Sequence, residues 1–154
     1  MVRLLLLTIL LLTGCAAPQG EFSHRKTQLF LHDAQLEKEP SGNPMIDFER
    51  QRLDFGTVSA ADRTAREGHY LNFWWRAPHN ASGLTARLEY RQQATGARVH
   101  VQEIAIPESR RRTVETRFKV IGAAYQKNGR IIAWRAQLLR NGAVVAETRS
   151  FLWE

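Results

Sequence analysis

The single cysteine of the chain, Cys15, is the residue whose surroundings have the clearest chemical meaning. It follows two small residues, Thr13 and Gly14, and an apolar run, Leu4–Leu12, that a lone Arg3 precedes. The run is too short to cross a bilayer as a helix, which needs about 20 apolar residues. A positive start, a short apolar centre and small residues are typical of an export signal. Export places the chain in oxidising surroundings, where an unpaired thiol is a hazard.

The segment Leu12–Cys15 resembles the lipobox of bacterial lipoprotein precursors, in which an obligatory Cys follows Leu and two small residues. The resemblance implies that a diacylglycerol alkylates the thiol of Cys15 and that the bond between Gly14 and Cys15 is cut. The new amine then receives a further acyl chain such as palmitate. Residues 1–14 are thus a signal peptide, and the membrane is a partner through Cys15. An ordinary secretory signal with a chance or structural cysteine is the alternative.

The residue after the cysteine and the overall charge both bear on location and partners. Ala16 stands where lipoproteins retained in the inner membrane have Asp, so the resemblance favours the periplasmic face of the outer membrane. A formal charge of +7 would suggest nucleic acid for a cytosolic protein. An exported chain meets anionic lipids and envelope polymers instead, so we expect no nucleic-acid partner. Basic residues are spread along the chain with one cluster, Arg110–Arg112, which is typical of a solvated surface.

The remaining residues that can do chemistry are scattered. The sequence contains neither a Gly-x-Ser-x-Gly elbow nor a glycine-rich phosphate loop. Five histidines show no metal-ligand spacing: His24, His32, His69, His79 and His100. We expect His69 and His100, which lie in strand-like segments, at the surface. The sequence therefore predicts a protein that is not an enzyme and has no catalytic residue, metal or cofactor. A hydrolase with an unrecognised site is the alternative.

Composition divides the chain after Gly14 into a tether and one domain. Residues 15–45 are mostly polar and broken by Gly and Pro, which predicts a lipidated N-terminus followed by a flexible tether. The apolar stretch Leu29–Leu31 is an exception, and the segment around it can instead add a strand to the domain. Residues 46–154 have the length of a single domain.

Alternation of apolar and polar residues marks several strands in residues 46–154. Their inward positions are Leu71, Phe73 and Trp75; Leu84, Ala86, Leu88 and Tyr90; and Val114, Thr116, Phe118 and Val120. About seven strands separated by turn signals, with no convincing helix, predict an all-β, antiparallel sandwich. The strand spacing and the Trp-bearing strands resemble immunoglobulin and fibronectin type III domains. A small barrel or lipocalin-like fold is the alternative.

Two strands need an irregularity to keep their apolar residues on one face. In the last hairpin, a three-residue loop over Arg140–Gly142, with Gly142 left-handed, pairs even positions with even positions. The apolar residues of the segment 99–106 change phase after Val101, from odd to even positions, so we expect a β-bulge at Gln102–Glu103.

Aromatic and arginine side chains on the outward phase form the candidate binding face: Trp74, Arg76, Arg135, Arg149, Phe151 and Trp153. Trp and Arg are favoured at protein interfaces, and aromatic rings also stack on sugars. The sequence thus predicts a non-enzymatic envelope lipoprotein whose sandwich binds another envelope component or a protein partner. A glycan-binding module for envelope polysaccharide or lipopolysaccharide is the alternative. The structural interpretation is that Leu29–Leu31 or arginine stems simply cover the rings.

Overall fold

The computed structural model describes residues 21–33, 40–108 and 110–154. The predicted signal peptide, residues 1–14, and the predicted lipidation site, Cys15, lie outside the described residues. Within them the elements, in chain order, are β1 (Ser23–His32), α1 (Pro44–Asp54), α2 (Ala60–Arg66), β2 (Gly68–Arg76), β3 (Leu84–Gln92), a 3₁₀ turn (Gln93–Thr95), β4 (His100–Ile106), β5 (Thr113–Ile121), α3 (Ala123–Asn128), β6 (Ile131–Arg140) and β7 (Ala143–Arg149).

The strands form two antiparallel sheets, ordered β1-β2-β5 and β4-β3-β6-β7, which pack as a β-sandwich. The all-β prediction with seven strands is confirmed. At one long edge of the sandwich β1 lies beside β7. At the other edge β4 lies beside β5, where the Gln102 amide donates to the Lys119 carbonyl at 3.0 Å.

The core lies between the sheets and contains the residues that the alternation predicted. On β2, β3 and β5 the buried inward side chains are Leu71, Phe73, Trp75, Leu84, Ala86, Leu88, Tyr90, Val114, Thr116, Phe118 and Val120. The ring centroid of Phe73 lies 6.0 Å from that of Trp75 and 6.1 Å from that of Phe118. Trp134 of β6 completes the cluster at 5.2 Å from Phe73. The buried indole N–H of Trp75 donates to Thr116 Oγ1 at 3.0 Å, so its polar group is satisfied.

Strand β1 corrects the predicted tether. It pairs with β2 from Ser23 opposite Arg76 to His32 opposite Gly68. The assignment of residues 15–45 to a flexible tether is therefore wrong for Ser23–His32, and the alternative of an added strand is right. The burial of β1 side chains does not alternate cleanly. Main-chain hydrogen bonds hold an edge strand to its neighbour without requiring an alternating side-chain pattern.

The expectation of no helix is wrong for α1, α2 and α3. The first begins after Asn43, whose side chain accepts a hydrogen bond from the N–H two residues on, at 3.0 Å. The second begins after Ser59, which forms a capping box with Asp62. Neither α1 nor α2 has a fully buried residue, so no apolar stripe marks them in the sequence. In the sequence, the N-cap residues Asn43 and Ser59 are the signals that indicate where these two helices begin.

The β6–β7 hairpin closes with a two-residue turn, not with the predicted three-residue loop. Arg140 pairs with Ala143, and Asn141-Gly142 between them has positive φ angles of 50° and 85°. Positive φ at both positions is the property of a type I′ turn. The register then shifts between Leu138 and Leu139, and even positions pair with even positions beyond the shift. The prediction that even positions pair with even positions is therefore correct beyond the shift, but a β-bulge produces this register instead of a three-residue loop.

Strand β4 has no bulge at Gln102–Glu103, so that prediction is wrong. The strand pairs continuously with β3 over His100–Ile106. Its even residues are half-buried and its odd residues are exposed, and Val101 is therefore on the solvent side. The prediction failed because an apolar residue on an edge strand need not be buried. Pro107 follows directly after the strand, where its missing N–H leaves no ladder bond unmade.

Candidate functional site

The structure divides the predicted binding face between two surfaces. Trp74 and Arg76 lie on the outer face of the three-stranded sheet, where the Lys26 ammonium is 4.9 Å from the Trp74 ring centroid. Arg135 and Arg149 lie opposite each other on β6 and β7 of the four-stranded sheet. The sheets face each other across the core, so the outward side chains of one sheet are on the far side of the molecule from those of the other. The predicted residues do not form one face.

The two C-terminal aromatics of that set have opposite environments. Phe151 is 98% exposed, whereas Trp153 is 6% exposed. The guanidinium groups of Arg91 and Arg135 lie 4.8 Å and 5.3 Å from the Trp153 ring centroid. Glu89 fixes Arg135 by accepting its Nε–H at 2.9 Å. Arginine side chains cover Trp153, as the structural interpretation expects.

A groove of about 320 Å³ lies between α1 and the outer face of the three-stranded sheet. The strand register places its floor residues side by side: Gln28, Phe30, Tyr70, Asn72, Arg117 and Lys119. Its wall consists of Glu49, Arg52 and Leu53 of α1, and of Arg66 at the end of α2. None of these residues was predicted as a site. The alternation of apolar and polar residues places Asn72, Arg117 and Lys119 on the outward face of their strands. The sequence did not predict α1, the helix that makes a groove above them.

Three contacts hold the end of α1 over the sheet. Nε2 of His32, a buried residue of β1, lies 3.1 Å from Oδ1 of Asp54. The Arg66 guanidinium donates to the Leu53 carbonyl at 2.5 Å, which satisfies an acceptor that the helix end leaves open. The Tyr70 hydroxyl donates to the Arg66 carbonyl at 2.7 Å. The groove is therefore a fixed feature of the packing between α1 and the sheet.

The groove is cationic. Its described charged residues are Glu49, Arg52, Arg66, Arg117 and Lys119. The hydrogen bond to Glu115 raises the pKa of Arg117, which stays charged. Burial raises the pKa of Tyr70, so its hydroxyl stays protonated. The Tyr70 ring is largely buried and lies 6.3 Å from the ring of Phe30, which is the more exposed of the two. An anionic ligand with a flat face gains charge-assisted hydrogen bonds and ring contacts here.

His69 is a partly buried structural residue and not the surface residue that the sequence predicted. Its Nε2 accepts the Ile131 N–H at 3.1 Å, which joins the start of β2 to the start of β6. Its ring meets the Tyr125 ring edge-on, with centroids 5.9 Å apart. Burial, and then the positive charge of Arg130, lower the pKa of His69 to about 4. The imidazole is therefore neutral at neutral pH, with its proton on Nδ1.

This histidine makes folding stability depend on pH. An unfolded histidine titrates near pH 6.5. Between about pH 6.5 and pH 4 the unfolded chain therefore binds a proton that the folded chain does not. The stability that the neutral His69 side chain contributes to the folded protein is complete above pH 6.5 and is lost as the pH falls toward 4. We expect urea unfolding to show about 1–2 kcal/mol less stability from this site at pH 5 than at pH 7.

The control is His69→Gln, which removes the titrating group and should remove that part of the pH dependence. The NMR titration of the His69 ring gives the same pKa directly. A ring that titrates near pH 6.5 in the folded protein would contradict the assignment of its Nε2 as a buried acceptor.

The described residues contain no group of three or more His, Cys, Asp and Glu side chains that could hold a metal ion. No helix among them is long and apolar enough to cross a membrane. No protein-family model, no curated protein and no solved structure matches this chain.

Proposed function

We propose that this protein is an envelope lipoprotein with a non-enzymatic binding domain. Its anchor is Cys15, acylated after cleavage behind Gly14, and its place is the periplasmic face of the outer membrane. The match of Leu12–Cys15 to the lipobox supports the anchor. Two or more acyl chains hold a protein firmly on a bilayer, whereas one chain binds only marginally. The immunoglobulin- and fibronectin type III-like sandwich would then present its binding site outside the cytoplasm.

The groove under α1 is the observation that carries the binding function. Four basic side chains and one carboxylate line it, above the rings of Phe30 and Tyr70. Arg52 pairs with Glu49 at 2.8 Å, which leaves the basic groups in excess. This chemistry fits an acidic segment of another envelope protein, whose carboxylates would meet the basic groups. Guanidinium groups bind carboxylate and phosphate with paired hydrogen bonds.

A glycan ligand is the second candidate, and the amide side chains of the groove favour it. Gln28 and Asn72 lie opposite each other on β1 and β2, next to the pair Phe30 and Tyr70. Amides exchange hydrogen bonds with sugar hydroxyls, because each amide is both donor and acceptor. Aromatic rings provide the apolar surface for a sugar face. A phosphorylated or acidic envelope polysaccharide would use all of these groups.

Binding experiments on the full-length protein in detergent test the groove. The probes are an acidic peptide, the phosphorylated core oligosaccharide of lipopolysaccharide, and a neutral oligosaccharide. We expect an acidic probe to bind, and Arg117→Ser to weaken it by about tenfold, since one hydrogen bond to a charged group contributes about 1.5–3 kcal/mol. Titration calorimetry gives the affinity, and the better acidic probe identifies the ligand class.

Arg87→Ser is the matched control. Arg87 forms an ion pair with Glu103 at 2.7 Å on the other sheet, as Arg117 does with Glu115 at 2.8 Å. Both changes remove one charge from a partly exposed ion pair, but only Arg117 lines the groove. Equal losses from the two variants, or no binding of either acidic probe, would contradict the groove as the binding site.

A further inference from the structure

The chain enters the sandwich at one of its two ends. β1 begins at Ser23, opposite Arg76 at the end of β2, and β5 starts beside Arg76. The β6–β7 turn is at the same end, because Leu84 at the start of β3 pairs with Arg140. Ser23 follows Cys15 by eight positions, a chain length of at most about 28 Å. Strands of nine or ten residues are about 30 Å long, so this entry end is well separated from the opposite end of the sandwich.

Arginine side chains from four separate stretches of the chain collect at this near end. We call them the arginine end: Arg25, Arg76, Arg110, Arg111, Arg112 and Arg140. The Arg112 carbonyl accepts the Ala77 N–H at 3.0 Å, which fixes the β4–β5 loop beside the end of β2. All six except Arg76 are exposed. In the sequence only the adjacent Arg110–Arg112 formed a cluster, and the fold adds the other three.

The charge at the two ends of the sandwich differs. In the stretches that form the near end, the acidic residues are Glu21 and Glu108. None of the described carboxylates is within ion-pair distance of Arg25, Arg76 or Arg140. At the far end the acidic and basic side chains nearly balance in number. The described acidic residues there are Asp33, Asp54, Asp62, Glu67 and Glu154. The described basic residues are Arg63, Arg66, Arg91, Arg98, Lys127 and Arg130. The positive excess is therefore on the end at which β1 begins.

We infer that the arginine end rests on the anionic phospholipid surface of the membrane to which Cys15 is anchored. The inference rests on the proposed function for the position of the anchor, but the charge asymmetry is a property of the domain itself. Each basic residue close to an anionic lipid surface strengthens binding about fivefold. The strands then stand away from the membrane, and the groove under α1, on a side face of the sandwich, remains open to a ligand.

Trypsin cleavage of full-length protein on vesicles tests this orientation. The Arg110–Arg112 loop and Arg98 are exposed segments at opposite ends of the sandwich. On vesicles that contain phosphatidylglycerol, we expect cleavage in the Arg110–Arg112 loop to be about tenfold slower than on phosphatidylcholine vesicles. Cleavage after Arg98 should be equally fast on both. High salt should abolish the protection, because it screens the attraction of exposed charges.

Two double variants with equal charge loss provide the control. Arg111→Ser with Arg112→Ser keeps Arg110 as a cleavage site and should lose most of the protection. Arg63→Ser with Lys127→Ser, at the far end, should keep it. Equal cleavage of the loop on both vesicle types, or protection of Arg98 instead, would overturn the inference.

Intact mass of the same preparation reports separately whether Cys15 is acylated. An unacylated chain whose loop is still protected on phosphatidylglycerol refutes the anchor and supports the arginine end. An unacylated chain that stays off phosphatidylglycerol vesicles refutes the arginine end as a lipid contact.

Discussion

Trp75→Ala is expected to lower the free energy of unfolding by about 3–5 kcal/mol, the range found when a buried Trp is truncated. The ring is fully buried between the sheets and packs against Phe73. Its removal leaves a cavity, and it also takes the indole N–H away from the buried hydroxyl of Thr116. Domains of this size are stable by about 5–15 kcal/mol, so the variant loses a large part of the total.

Trp74→Ala is the matched control, since it makes the same change one residue earlier. Trp74 lies half-buried on the outer face of the sheet, under the Lys26 ammonium. We expect a loss of less than about 1 kcal/mol, as for most surface substitutions. Urea unfolding followed by circular dichroism measures both. Similar losses from the two variants would contradict the assignment of Trp75 to the core and Trp74 to the outer face.

These two tryptophans show what the sequence could predict. Alternation with a period of two separates inward from outward residues wherever one face of a strand is buried and the other is solvated. That holds along β2, β3 and β5, and the inward residues of all three were predicted correctly. The same argument says nothing about which sheet a strand joins. For that reason Trp74 and Arg135 were assigned to one face, although they lie on different sheets.

The elements that the sequence missed, or whose details it predicted wrongly, share another property. Strand β1 and strand β4 are edge strands, and α1 and α2 have no fully buried residue. Little side-chain burial fixes their position, so their apolar residues carry no strong period. Main-chain hydrogen bonds and the N-caps at Asn43 and Ser59 define them instead. Such local polar signals are short and are easily read as loop residues.

The candidate groove was beyond sequence reasoning because distant segments build it. Its floor brings Gln28, Asn72 and Arg117 together through the register of three strands that are far apart in the chain. Its wall depends on the contact of His32 with Asp54 at the end of α1. The pairing of strands that are so far apart in the chain depends on the whole fold and not on local sequence. The arginine end has the same origin, since only the topology brings Arg25 and Arg140 to one end.

Cys15→Ser is expected to abolish membrane anchoring through lipid, because a serine hydroxyl cannot replace the thiol as the acceptor of the diacylglycerol. In the wild type, the intact mass of the membrane-extracted protein should equal that of residues 15–154 plus a diacylglyceryl group and an acyl chain. The variant should keep residues 1–14 and carry no lipid. Ala16→Ser is the matched control, since it introduces the same side chain one position later and should be processed and acylated normally.

The residue after the cysteine tests the predicted membrane separately. Ala16→Asp should leave the acylated mass of the chain intact and shift the protein from the outer-membrane to the inner-membrane fraction, since the lipoprotein resemblance makes Asp there a retention signal. A wild-type mass that includes residues 1–14 and no fatty acid would contradict the anchor. The +7 charge would then have to be explained without a membrane partner fixed by lipid, and nucleic acid would return as a candidate.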